Sequence, residues 1–85
     1  MINMSTNTSV EAQVKRLMAD QFAVTESELT DNATFSDDLG IDSLDKYELF
    51  MGLEKQFGLQ IPDEDAERLR TVGSVITYLK KQYMH

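Results

Sequence analysis

Hydrophobic residues recur at intervals of three and four in three separate stretches of the chain, and this period predicts three amphipathic helices. The first helix covers about residues 9–23, and Thr8 and Glu11 have the spacing of a capping box at its start. Its apolar face consists of Val10, Val14, Leu17, Met18 and Phe22. Residues 1–7 are polar and unpatterned, so they are predicted to be a disordered tail before a single domain over residues 8–83.

The second helix, predicted from about Asp42 or Ser43 to Phe57, carries two apolar stripes. One stripe consists of Phe50, Leu53 and Phe57 with Leu49 beside it, and the other consists of Leu44, Tyr47 and Met51. A surface helix needs only one apolar stripe. Either this helix is buried on most of its surface or its second stripe meets a partner, and we favour the partner. Asp42 is predicted as the N-cap of this helix and Gly58 as its C-cap.

The third stretch predicts a last helix that Thr71 caps. Its apolar face consists of Val72, Val75, Ile76, Leu79 and Tyr83. Before it, Asp63 is predicted to cap a short helix over about residues 64–69, with Ala66 and Leu69 facing inward. No segment shows the alternating pattern of a strand. The sequence therefore predicts an all-α fold, a four-helix bundle of three main helices and one short helix.

The connection over residues 24–41 is long for a compact domain, which suggests either a function or local turns of its own. Its apolar residues, Leu29, Phe35, Leu39 and Ile41, would hold it against the helices, so it is expected to be ordered. Gly40 is expected to supply a backbone angle that a residue with a Cβ would resist.

The net charge of −7 is concentrated in one part of the chain. Residues 26–48 contain eight acidic residues and one basic residue, Lys46, whereas the remainder contains seven of each. Such a field repels nucleic acid and anionic lipid and attracts basic partners. A merely soluble surface is the simpler interpretation. A calcium loop does not fit, because Leu39 and Ile41 occupy positions that need oxygen ligands, so no metal site is expected.

The chain has 85 residues, which suffice for one domain but not for a deep cleft with a separate substrate domain. It contains no cysteine, which excludes disulfides and zinc–thiolate sites. No run of about 18 apolar residues occurs, so no membrane span is expected. The start lacks a basic region followed by an apolar run, so no secretory signal is expected either. We expect a cytoplasmic monomer.

Ser43 lies at the corner where the long connection ends and the second helix begins. A helix N-terminus presents unpaired N–H groups and a positive dipole end, which favour a phosphate held covalently on this serine. Nearby carboxylates would repel a free anion: Asp37, Asp38, Asp42 and Asp45. An enzyme with a serine nucleophile is not expected, because the only histidine is His85 and the carboxylates would keep Lys46 protonated. A simple helix cap is the structural alternative for Ser43.

Residues 38–45 read Asp-Leu-Gly-Ile-Asp-Ser-Leu-Asp and closely resemble the attachment motif of acyl carrier proteins of the fatty-acid-synthesis type. Residues 61–64, Ile-Pro-Asp-Glu, and residues 71–72, Thr-Val, match two further family segments, and the resemblance covers about residues 8–83. It implies that a phosphopantetheinyl transferase attaches 4′-phosphopantetheine from coenzyme A to Ser43 through a phosphodiester. The thiol of this arm would hold acyl intermediates as thioesters, while the protein itself performs no bond chemistry.

The resemblance also implies that the second helix is a recognition helix for enzymes of acyl-chain synthesis and transfer, which dock through basic patches. The predicted partner surface consists of Asp42, Leu44, Asp45, Tyr47, Glu48 and Met51. In the family the bundle can open to sheath the acyl chain. Candidates for lining such a cavity, which are also core candidates, are Leu49, Phe50, Leu53, Ile61, Leu69 and Val75.

The chain departs from the family pattern at Lys46, Tyr47, Gly52, Lys55 and Gln56. The family usually has a small residue at the position of Lys46 and a branched aliphatic at that of Tyr47. Gly52 replaces a common alanine, at a cost of about 0.8–1 kcal/mol of helix propensity. These differences suggest a specialised set of partners, and a discrete carrier for polyketide synthesis stays open. Peptide carriers usually have Gly-Gly-x-Ser, unlike this chain, and an unmodified acidic adaptor is the alternative from another class.

Overall fold

The protein folds as a helical bundle in the computed structural model, which describes residues 9–84. In that range α1 spans Ser9–Phe22, α2 Ser43–Phe57, α3 Asp63–Arg68 and α4 Val72–Met84, with a 3₁₀ helix at Glu26–Glu28. α1 packs against α2, α4 and the 3₁₀ helix. The predicted all-α fold is confirmed, since residues 9–84 contain no strand beyond an isolated bridge between Thr34 and Thr71. The predicted tail, Thr8 and His85 lie outside the described residues.

The apolar faces predicted from the sequence meet in one core, while the side chain of Tyr83, predicted for the face of α4, lies outside what the structure describes. The helices contribute Val10, Val14 and Met18 from α1, Leu49, Phe50, Leu53 and Phe57 from α2, and Val72, Val75, Ile76 and Leu79 from α4. Ile61 and Leu69 also join this core, whereas Leu17 and Phe22 are only partly buried. Burying one large apolar side chain contributes about 1.5–3 kcal/mol, so this core is the main source of stability.

The predicted caps of α2 and α4 are confirmed. The Asp42 carboxylate accepts a hydrogen bond from the Asp45 N–H at 3.0 Å. At the other end of α2, Gly58 adopts the left-handed conformation with a φ of 67°. The Ser74 N–H donates to the Thr71 hydroxyl at 3.1 Å in the first turn of α4. The Asp42 and Thr71 side chains, and the backbone N–H of Gly58, satisfy backbone groups that the helix ends leave unpaired.

The predicted cap of α3 is wrong, because α3 begins one residue earlier than expected. Asp63 lies inside the helix, and the N-cap is Pro62, which makes no side-chain hydrogen bond. The Pro62 carbonyl accepts a hydrogen bond from the Ala66 N–H at 2.9 Å, which closes the first turn. Asp63 instead shares that turn with Glu64 and Asp65, where the helix dipole favours carboxylates.

The long connection is ordered, as expected, and is joined to the start of α4. Three backbone N–H groups donate across this junction: Phe35 to the Arg70 carbonyl at 3.0 Å, Val72 to the Ala33 carbonyl at 3.0 Å, and Gly73 to the Asp31 carbonyl at 2.9 Å. Leu29, Phe35 and Ile41 are buried as predicted, and Leu39 is half-buried. These bonds fix the connection just before the segment that leads into α2.

Candidate functional site

A tight turn at the end of the connection brings the first residue of α2 to the surface. Ile41 is buried, and its N–H donates to the Phe35 carbonyl at 2.7 Å. Gly40 has a φ of 64°, the left-handed angle that the sequence led us to expect. Ser43 is the first residue of α2 and is exposed. The buried anchor at Ile41 thus fixes where the serine emerges.

The four carboxylates around Ser43 fall into two kinds. The Asp38 carboxylate accepts hydrogen bonds from the N–H of Thr34 at 2.9 Å and from its hydroxyl at 3.2 Å. Asp42 caps α2. Asp37 and Asp45, in contrast, make no side-chain hydrogen bond or ion pair with the residues that the structure describes. Two carboxylates therefore order the backbone, and two face solvent or a basic partner.

The Ser43 hydroxyl has no hydrogen-bond partner among residues 9–84. Because Asp42 performs the capping, the alternative in which Ser43 serves as a simple helix cap is wrong. The hydroxyl lies in the first turn of α2, where the positive end of the helix dipole favours a negative group. An exposed and unbonded hydroxyl in this position suits the covalent attachment of a phosphate-linked group.

Two grooves meet at Ser43 and share Lys46 and Arg70 in their walls. The α2–α3 groove, of ≈500 Å³, is lined by Ser43, Lys46, Tyr47, Phe50, Asp63, Ala66, Glu67 and Arg70. The connection groove, of ≈390 Å³, is lined by Thr34, Phe35, Ser36, Asp37, Ile41, Asp42, Ser43, Lys46 and Arg70. Arg70 gave no signal in the sequence. It reaches the site because its carbonyl accepts the Phe35 N–H, a pairing between distant parts of the chain.

Lys46 lies over aromatic rings. Its Nζ is 5.8 Å from the centroid of the Phe35 ring and 5.7 Å from that of Phe50. Burial lowers the pKa of Lys46, nearby Arg70 lowers it further, and Glu67 acts in the opposite direction. The carboxylates near Lys46 in the sequence, which were expected to keep it protonated, therefore do not dominate its pKa. Burial and the charge of Arg70 outweigh the opposing charge of Glu67.

The second stripe of α2 is exposed. Leu44 is 64% exposed, Tyr47 58% and Met51 46%. The acidic residues beside the stripe, Asp42, Asp45 and Glu48, are exposed as well. The interpretation in which α2 is buried on most of its surface is therefore wrong. Three large apolar side chains on one exposed stripe form a surface typical of an interaction site.

The candidate cavity residues form part of the closed core. All six are buried, namely Leu49, Phe50, Leu53, Ile61, Leu69 and Val75. Phe50 also lines the α2–α3 groove, so this groove leads from Ser43 to the edge of the core.

Two further observations concern residues 9–84. No helix in this range has the length and apolar content needed to cross a bilayer. No group of three or more histidine, cysteine or acidic residues within it could hold a metal ion.

A small helical bundle with an exposed, unbonded serine at the start of its second main helix has the architecture of a carrier domain. A family model described as "Phosphopantetheine attachment site" matches residues 12–79. Because this match covers most of the chain, the protein belongs to that family and is a phosphopantetheine-carrying carrier protein. Domains of this family hold 4′-phosphopantetheine covalently on a serine. They interact with the transferase that attaches the arm and with synthesis enzymes.

Proposed function

We propose that this protein is an acyl carrier protein of the fatty-acid-synthesis type with its prosthetic arm on Ser43. The Ser43 Oγ forms a bond to the phosphorus of the pantetheine phosphate, the pyrophosphate bond of coenzyme A breaks, and adenosine 3′,5′-bisphosphate leaves. The hydroxyl proton passes to a base of the transferase or to water. The arm's thiol then holds acyl intermediates as thioesters, and the protein carries them between enzymes of fatty acid or related acyl-chain synthesis in the cytoplasm.

The exposed and unbonded hydroxyl of Ser43 is the observation that carries this proposal. It stands next to Asp42, which already caps α2, so a modification at Ser43 removes no hydrogen bond from the fold. The buried Ile41 and the left-handed Gly40 hold the serine outward on the rim of the α2–α3 groove. The chain can therefore present this hydroxyl to a transferase without local unfolding.

We infer that the partner surface is the exposed stripe of Leu44, Tyr47 and Met51 with the carboxylates of Asp42, Asp45 and Glu48. The apolar stripe supplies area that a partner can bury, and the carboxylates steer basic partners. Electrostatic steering gives fast encounter without requiring tight binding, which suits a protein that passes cargo between several enzymes.

Intact-protein mass spectrometry tests the attachment. Protein shown to be unmodified is incubated with coenzyme A and a broad-specificity phosphopantetheinyl transferase, alongside Ser43→Ala and the matched control Ser36→Ala. Ser36 is exposed and lines the connection groove, so it is the nearest competing hydroxyl. We expect the parent and Ser36→Ala to gain one arm and Ser43→Ala to gain none. No gain by the parent would contradict the carrier proposal and favour the acidic adaptor.

Transfer kinetics test the partner surface. Leu44→Asp and Met51→Asp place a charge on the exposed stripe, and Ala12→Asp places the same charge at an exposed site on α1. We expect the first two to lower the kcat/KM of arm attachment at least tenfold while Ala12→Asp stays within twofold, because only the stripe loses apolar contact. Equal effects of all three variants would show that the stripe is not the docking surface.

The pathway is tested by the enzymes that accept the loaded protein. Tyr47 replaces the branched aliphatic that the family pattern usually has and is 58% exposed, which favours a specialised partner set. If Tyr47→Val raises acceptance by fatty-acid chain-elongating enzymes, the aromatic ring selects partners. If only polyketide enzymes accept the loaded protein, it is instead a discrete carrier for polyketide synthesis.

A further inference from the structure

Lys46 and Arg70 form a cationic pair beside Ser43, although the net charge of the protein is −7. Lys46 projects from α2 and Arg70 lies between α3 and α4, yet both line each of the two grooves that meet at the serine. Neither forms a salt bridge with any residue that the structure describes. Asp63 and Glu67 share the α2–α3 groove without a salt bridge to either cation, although the Arg70 Nε donates to the Glu67 backbone carbonyl at 3.5 Å. The pair thus has no direct anionic partner within the fold.

The surroundings fix the Lys46 ammonium and the backbone of Arg70. The Lys46 ammonium is fixed over the rings of Phe35 and Phe50 at 5.8 and 5.7 Å. The Arg70 backbone is fixed by the hydrogen bond from the Phe35 N–H at 3.0 Å. Two neighbouring positive charges repel each other, and burial of Lys46 adds to the cost, as the lowered pKa of its ammonium reflects. An anion bound between them would relieve both effects.

A phosphodiester on Ser43 is the anion closest to this pair. It would be bonded to the Oγ of a residue in the same groove walls, whereas any charge on the cargo would lie at the far end of the arm. Guanidinium groups match the geometry of phosphate oxygens, and ammonium groups bind phosphate as point charges. Asp37 and Asp42 line the connection groove and repel an anion there.

We propose that Lys46 and Arg70 bind the phosphodiester of the prosthetic arm and direct the arm into the α2–α3 groove, an inference that rests on attachment at Ser43. This groove is the larger of the two and continues along Tyr47, Phe50 and Ala66, whose side chains offer apolar contact to the arm. The two cations act as positioning residues. They fix the start of the arm, while the acidic surface of α2 remains free for partners.

The test uses isotope-labelled protein loaded with an unlabelled arm, studied by NMR. Parent, Lys46→Met, Arg70→Gln and the double variant are compared with Lys55→Met, which removes an exposed charge elsewhere on α2. Lys46→Met keeps an apolar side chain over the rings, and Arg70→Gln changes an exposed residue. We expect nuclear Overhauser effects between the arm's methyl groups and the Phe50 ring in the parent and Lys55→Met. In the double variant we expect these effects to be lost and the ³¹P chemical shift of the arm's phosphodiester to change.

The outcomes separate this inference from the proposed function. If mass spectrometry shows full loading but the contacts to Phe50 are missing in the parent or unchanged in the double variant, the inference is overturned and the carrier function stands. If no arm is attached, both are overturned. The experiment is repeated with a neutral acyl group and with a carboxylate-ended acyl group on the thiol. If the contacts between the arm and Phe50 depend on Lys46 and Arg70 only when the carboxylate-ended acyl group is loaded, the two cations bind the cargo. That result would overturn the proposal that they bind the phosphodiester. Matching amide spectra before loading show that the variants are folded.

Discussion

Replacing Gly73 by alanine is predicted to destabilise the protein by about 0.5–4.5 kcal/mol, although alanine is the better helix former. A Cβ at Gly73 would lie 2.9 Å from the carbonyl oxygen of Asp31 and 3.0 Å from its Cβ. The Gly73 N–H donates to that same carbonyl at 2.9 Å, so the connection cannot move away without weakening the bond.

The magnitude follows from two opposing effects. Overpacking against backbone costs about 1–3 kcal/mol, and weakening the hydrogen bond to Asp31 adds about 0.5–1.5 kcal/mol. The higher helix propensity of alanine stabilises the protein by less than about 1 kcal/mol, because Gly73 lies in the first turn of α4 and not in its interior. For a domain of this size, a loss of about 1 kcal/mol lowers Tm by about 4–8 °C. Steric conflict therefore dominates.

Gly52→Ala is the matched control. Its Cβ would meet only the end of the Leu17 side chain, with Cδ2 at 3.3 Å, and Leu17 is half-buried and free to adjust. The gain of about 0.8–1 kcal/mol in helix propensity should then make this variant at least as stable as the parent. Urea unfolding followed by circular dichroism gives the change in the free energy of unfolding of each variant, from the shift of the midpoint at constant m. A Gly73→Ala variant as stable as the parent, or equal losses in both variants, would show that a Cβ at Gly73 does not clash with Asp31.

Two further predictions concern a cap and a tyrosine. Asp42→Ala should cost about 1 kcal/mol in urea unfolding, because it removes the acceptor of the Asp45 N–H, whereas Asp42→Asn should retain most of the stability; equal losses would contradict the capping role. Tyr78 donates to Asp65 at 2.8 Å, and burial together with this bond raises the pKa of Tyr78 from 10.0 to about 12. The folded state favours the protonated phenol, so this contribution to stability is complete below pH 10.0 and is lost as the pH rises towards about 12. Ultraviolet titration should show one late tyrosine that Tyr78→Phe removes, and a normal titration of Tyr78 would contradict the bond.

Local patterns in the sequence predict the helices well, and they also predict the position of Ser43 at the start of α2. The period of apolar residues identifies the core faces, because burial on one side of a helix leaves a spacing of three and four. The two stripes of α2 likewise indicate an exposed apolar surface, and Leu44, Tyr47 and Met51 are exposed. The caps at Asp42 and Thr71 follow from the preference of short polar side chains for the start of helices.

Contacts between distant segments could not be predicted in this way. Arg70 reaches Ser43 only because its carbonyl pairs with Phe35, and no periodicity records such a pairing. The same holds for Gly73, whose missing Cβ makes room for Asp31. The neighbours of Lys46 in the sequence are acidic, whereas in space it lies near the rings of Phe35 and Phe50 and near Arg70. The chemistry beside the serine thus depends on tertiary contacts that the motif alone does not contain.

Ser43 is the proposed site of the arm, and fragmentation of the loaded protein in a mass spectrometer locates the modified residue. The protein is loaded from coenzyme A, cleaved on both sides of the connection and α2, and the modified residue is located within the resulting peptide. This account predicts one arm, on Ser43, and unmodified Ser36 in every molecule. An arm on Ser36 or on any other residue would contradict it.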